Sequence, residues 1–160
     1  MTSWDNFFVA QVGASAALAG LLFVGISINM AKIVATPSLP DRALQALALL
    51  FGILLVASVL LVPGQPVVNV GYEVGALGVA LFAVTLRISV RSLGGVPARY
   101  RRWHVGETGV VGIAVLLYPA AGAVMVAAGT VGNYLVVPAF LVSFVVAIID
   151  SWVLLVEINR

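Results

Sequence analysis

Residues 134–155 read YLVVPAFLVSFVVAIIDSWVLL. A helix rises about 1.5 Å per residue, so about 20 apolar residues cross the hydrocarbon core of a bilayer. This stretch is long enough, and Asp150 is its only charge. The same pattern recurs on working outward from it. Thr108 to Ala128 lies just before, joined by a tight connection at Gly132-Asn133. Phe7 to Met30, Ala43 to Val62 and Val70 to Leu86 complete a set of five, the third being shortest and interrupted by Glu73. The expected fold is all-α: a polytopic transmembrane helical bundle of five spans. It forms one domain over residues 1–160, with a basic cytoplasmic loop at 87–107.

Composition agrees. The chain is 62% hydrophobic and 9% charged, with a mean hydropathy of +1.18. A soluble domain carries about 25% charged residues, and a chain of this size has too little interior to hide so much apolar surface from water. The N-terminal MTSWDNFF lacks a basic n-region, and the apolar run behind it exceeds a signal-peptide core. The first segment therefore reads as a retained span. Pro37 and Pro40 separate the first two spans, and Ser38-Leu39-Pro40-Asp41 has the form of a capping box. Pro63-Gly64 ends the second span, and Asn69 is a candidate cap for the third. Short connections imply antiparallel neighbours.

The basic residues give the orientation. Lys32 and Arg42 flank the first loop, Arg87, Arg91, Arg99, Arg101 and Arg102 lie in the third, and Arg160 ends the chain. Threaded as five spans, all eight lie on one side. Cytoplasmic loops retain Lys and Arg, so the N-terminus is expected outside and the C-terminus inside a bacterial inner membrane. A four-span threading would split Lys32 and Arg42 from the arginine loop. Trp4, Tyr72, Tyr100, Trp103, Tyr134 and Trp152 lie near the expected interfaces, where amphipathic rings prefer to sit.

Small residues mark packing faces. Gly13 with Ala17, and Ala16 with Gly20, are small-xxx-small pairs in the first span, and Gly71 with Gly75 repeats the spacing in the third. Such pairs let helix backbones approach closely. They either join spans within one subunit or form a face for another subunit or a different membrane protein. Intramembrane polar residues are the other candidates. Gln11 and Glu73 belong to the outer level, and Asn29, Gln45, Arg87 and Asp150 to the inner one. Asp150 is the deepest charge and needs a partner, and Arg87 at the inner end of the third span is the expected one. A proton- or cation-binding role is the alternative. Between the two levels only Ser15, Ser58, Ser143, Thr85 and Pro119 stand out, and hydroxyls commonly bond back to their own helix. That counts against a conduit through one subunit.

The segment Val96 to His104 interleaves arginines with aromatics, so Arg99, Arg101 and Arg102 are candidates for anionic lipid headgroups. Its simpler role is to hold the loop inside. It is short and tethered to lipid at both ends, which argues against nucleic acid. There are no cysteines, and His104 is the only histidine, so no metal site or cofactor is expected. No H-E-x-x-H, G-x-S-x-G, Walker or dinucleotide motif occurs, so no catalytic residues are assigned and the chain does not read as an enzyme.

FFVAQVGASAALAGLLFVGISIN at Phe7 to Asn29 and LPDRALQALALL leading to LLVPGQ at Gln65 carry a resemblance over about the first 60 residues. They resemble a family of small bacterial membrane proteins sometimes labelled modulators of the FtsH membrane protease. The resemblance implies a helical membrane protein that acts on a partner. The leading expectation is thus a non-enzymatic protein that self-associates or binds and modulates another membrane complex. The alternative is an ion or proton channel or transporter using Asp150, Glu73 and Asn29.

Overall fold

The computed structural model describes residues 3–36, 39–93 and 101–158, with the side chains at 3, 93, 101–105, 107 and 158 outside the description. Among the described residues there are helices and no strands. In chain order they are α1 (Ser3–Ile28), α2 (Met30–Ala35), α3 (Leu39–Leu60), α4 (Val67–Leu93), α5 (Arg101–Ala128) and α6 (Asn133–Ile158). A four-residue 3₁₀ turn, Gly129–Gly132, joins the last two.

The long helices start and stop for local reasons. The Pro66 carbonyl accepts from the amides of Asn69 and Val70, at 2.9 and 3.2 Å, so α4 starts ahead of Asn69. The expected Asn69 cap is thereby corrected: the residue lies inside the first turn. Pro63 and Gly64 bound α3 from α4, and Gly64 has a φ of 76° that only glycine adopts without strain. Gly129, with φ 68°, does the same after α5. α1 breaks at Asn29, whose side-chain amide donates to the Gly25 carbonyl at 3.0 Å. Ser38 of the expected capping box lies outside the described residues.

Helices α3, α4, α5 and α6 form a closed ring, each packed on the next and α6 back on α3, while α1 lies outside the ring against α3. All ring neighbours are antiparallel, as the short connections require. Two residue sets define the ends. The Trp4 ring meets Tyr134, with centroids 5.1 Å apart, so the starts of α1 and α6 share one end. Asp41 accepts from Ser92 at 3.3 Å, so the start of α3 and the finish of α4 share the other. The start of α1 and the finish of α6 therefore lie at opposite ends of the bundle.

α3 is the axis of the core. Its buried residues Leu39, Ala43, Ala46, Leu49, Leu50, Ile53, Val56 and Ala57 recur at helical spacing and meet two neighbours at once. Val115, Tyr118 and Met125 from α5 and Val136, Ala139 and Phe140 from α6 fill the same core. A smaller cluster of Ile33, Leu39, Ala43 and Leu154 closes the Arg42 end. The outside is as apolar as the inside: Phe23, Ile28, Val79, Ile113, Leu141 and Ile149 all point outward. Four stretches are long and apolar enough to cross a membrane: Trp4–Ile28, Leu39–Leu60, Val67–Ser92 and Thr108–Glu157. The last contains both α5 and α6, which turn at Gly129 and lie against each other. These features are compatible with a multi-pass membrane protein, whose outer surface is solvated by hydrocarbon.

Candidate functional site

Asp150 is the polar centre of the molecule. It sits on the face of α6 that packs on α3 and is 0% exposed. Its Oδ1 accepts from Arg42 Nη1 at 2.9 Å, and its Oδ2 accepts from Gln45 Nε2 at 3.1 Å. Arg42 and Gln45 stand three residues apart on α3, which puts both on one face, so a single helix supplies a cation and an amide to the two oxygens. A buried carboxylate is tolerable only when paired and hydrogen-bonded in this way.

The expected partner of Asp150 was Arg87, and this is corrected. Arg87 is exposed on α4. α4 and α6 occupy opposite corners of the ring, with α3 and α5 between them. α3 touches α6 directly, so its first turn reaches Asp150. The spacing Arg42-x-x-Gln45 was the available signal. Arg42 had been read only as a flanking charge that sets orientation.

The other polar candidates are local. Asn29 closes the end of α1, as described above. Glu73 is exposed and accepts from Gln65 Nε2 at 3.1 Å, tying the start of α4 to the preceding turn. The Gln11 carbonyl accepts from Ser15 Oγ at 2.7 Å, and the Gln11 Oε1 is buried without a hydrogen-bond partner among the described residues. Thr85 and Ser58 bond back to the carbonyls of Leu81 and Leu54 at 2.9 and 2.7 Å. Ser143 differs: its hydroxyl meets Tyr118 Oη at 3.0 Å across the α5–α6 contact. The headgroup candidates lie outside the described residues: Arg99 altogether, Arg101 and Arg102 for their side chains. No group of three or more His, Cys, Asp or Glu stands together among the described residues.

The glycines fall into two sets. Gly71 and Gly78 of α4 bring that helix onto α5. A Cβ on Gly71 would stand 2.8 Å from the Gly122 carbonyl, and one on Gly78 2.6 Å from the Pro119 nitrogen. Close backbone approach there requires glycine. Sequence reading paired Gly71 with Gly75, and both backbones lie against Gly122, where a Cβ would stand 2.6 Å from the Gly75 nitrogen, although a Cβ on Gly75 itself would meet nothing within 4 Å. Gly13 and Gly20 of α1 are likewise open, and Ala17 between them is exposed. The buried side of α1 runs through Phe8, Ser15, Ala19, Leu22 and Ile26, which places Gly13, Ala17 and Gly20 on the opposite side. The small-residue face of α1 thus packs on nothing among the described residues.

Comparison with family models, with curated proteins and with solved structures finds no match.

Proposed function

We propose that this chain is a non-enzymatic protein of a bacterial inner membrane that docks a transmembrane helix of a second copy or of another membrane complex against α1. In this reading it crosses the bilayer five times, with the N-terminus outside and the arginine-bearing end in the cytoplasm, where Arg99, Arg101 and Arg102 meet anionic headgroups. One observation carries it: α1 stands outside the four-helix ring with Gly13, Ala17 and Gly20 turned away from the protein. In hydrocarbon no hydrophobic force joins helices, so association rests on close packing, and small residues permit it. The resemblance of the first 60 residues to partner-directed membrane proteins points the same way. The channel reading is less favoured, because Asp150 is sealed and both of its oxygens are engaged by α3.

Crosslinking tests the proposal cleanly, because the chain has no cysteine. A single Gly13→Cys variant in native membranes should give a crosslinked dimer or a product with a second membrane protein. Ile113→Cys, on the exposed side of α5, should not. Monomer alone from Gly13→Cys would count against the reading. Proton or ion flux in reconstituted liposomes, abolished by Asp150→Asn, would favour a conduit instead.

A further inference from the structure

Two cations of α4 have no partner among the described residues. Arg87 and Arg91 stand four residues apart, so both lie on one face of that helix, with Cβ atoms about 5–6 Å apart. Both are exposed, and neither makes an ion pair or a side-chain hydrogen bond among the described residues. The face they share is the outer one. α4 meets α5 through Gly78, which lies against Tyr118 and Pro119, and meets α3 through Leu81, which lies against Gly52. Arg87 comes nine residues after Gly78, half a turn round the helix from the α5 contact. Ala76, Ala80 and Ala83 continue that side of α4 below Arg87, and all three are exposed. The acids at this end are engaged elsewhere or stand on other helices. Asp41 accepts from Ser92, which comes eleven residues after Leu81 and so lies on the α3 side of α4. Asp150 is sealed between α3 and α6, and Glu157 stands on α6, at the opposite corner of the ring. The Glu107 side chain lies outside the described residues, and the sequence has no acid from Ile88 to Gly106.

We propose that Arg87 and Arg91 clamp the phosphate of one anionic phospholipid on the outer face of α4, with its acyl chains along Ala83, Ala80 and Ala76. Like charges four residues apart on a helix repel, and an anion seated between them removes the repulsion. Each guanidinium presents a planar fork of donors that matches two phosphate oxygens, so two forks enclose one phosphate. The position on the helix selects a lipid. No charge interrupts α4 between Glu73 and Arg87. That stretch is about 20 Å long, which covers the roughly 15 Å of one hydrocarbon leaflet. A ligand bound here thus needs an anion at one end and hydrocarbon below it. A second copy does not meet the need: a twofold axis along the membrane normal would bring four guanidinium groups together. The inference rests on the membrane reading and is independent of the small-residue face of α1.

Native mass spectrometry of the full chain, released from nanodiscs of phosphatidylglycerol or of phosphatidylcholine, tests it. One phosphatidylglycerol should be retained, with occupancy on the order of tenfold above that of phosphatidylcholine. Arg87→Gln with Arg91→Gln should abolish the preference while leaving thermal unfolding in detergent unchanged, since both positions are exposed. Arg99→Gln with Arg101→Gln removes the same charge from the segment after α4 and should keep most of the preference. Excess inorganic phosphate should not displace the lipid, because it has no chains to lay along the helix. An equal loss from the Arg99 and Arg101 variant would assign the preference to diffuse surface charge and overturn the clamp. A preference that survives loss of Arg87 and Arg91, displacement by inorganic phosphate, or a second protein retained in place of lipid would overturn it too. Release of the protein by alkaline washing would end the membrane reading itself; firm retention with no preference for phosphatidylglycerol would end only this one.

Discussion

At the scale of single residues the molecule turns on Asp150. Its burial makes removal of one partner costlier than removal of both. Asp150→Ala leaves the Arg42 guanidinium facing a sealed contact and should lower stability in detergent by about 3 kcal/mol, in the range found when a buried pair is broken. Asp150→Leu combined with Arg42→Leu should recover much of that loss, so the double change falls well short of the summed singles. Arg87→Ala, at an exposed position, should change stability by less than about 0.5 kcal/mol. Denaturant unfolding in one detergent of these three variants, of Asp150→Leu and Arg42→Leu singly, and of Arg42→Ala checks all three statements, and equal effects of Arg42→Ala and Arg87→Ala would contradict them. The need of Asp150 for a partner was legible in the sequence, because a lone charge in a 22-residue apolar run cannot stay bare. The identity of that partner was not, because it depends on which helices are ring neighbours.

At the scale of helices, hydropathy and hydrogen bonding mark different things. The apolar runs were readable to within a few residues at their cores. The helices themselves run further: α4 continues to Leu93 past Arg87 and Arg91, and α5 starts at Arg101, so most of the expected loop at 87–107 is helical. Charge stops a helix from being apolar without stopping its backbone bonds. Small-residue spacing was legible as packing potential but not as packing direction. Within α4 the difference is measurable. A Cβ at Gly78 would meet the Pro119 backbone nitrogen, which has little room to give, so Gly78→Ala should cost about 1–3 kcal/mol. Gly75→Ala meets open space and should be neutral or gain up to about 1 kcal/mol from helix propensity. Thermal unfolding of the two variants side by side decides it, and an equal loss in both would show that the α4–α5 contact does not depend on glycine at position 78.

For the whole molecule the division is between a sealed ring and an added helix. The ring of α3 to α6 buries Gly52, Gly71, Gly78, Gly122 and the Asp150 carboxylate, whereas α1 is fastened through α3 and through the Trp4–Tyr134 and Phe7–Phe140 rings. Five long helices stand among the described residues, and each carries one of the five apolar runs legible in the sequence. The ring was not legible, because apolar helices in lipid carry no outward polar stripe to tell inside from outside. Reporter fusions at the two chain ends should give opposite compartments, with alkaline phosphatase active at the N-terminal fusion and green fluorescent protein bright at the C-terminal one. Signals from the same compartment would reject the five-span arrangement and the depths read from it.

The Gly129–Gly132 turn bears on how the chain is built during synthesis. It is four residues long and carries no charge, so under the proposed five-span topology almost nothing polar has to be carried across the bilayer between the last two helices. With Tyr118 of α5 aimed at Ser143 of α6, the pair under that topology can leave the translocon together as a helical hairpin, the Tyr118–Ser143 contact closed before either helix meets lipid alone.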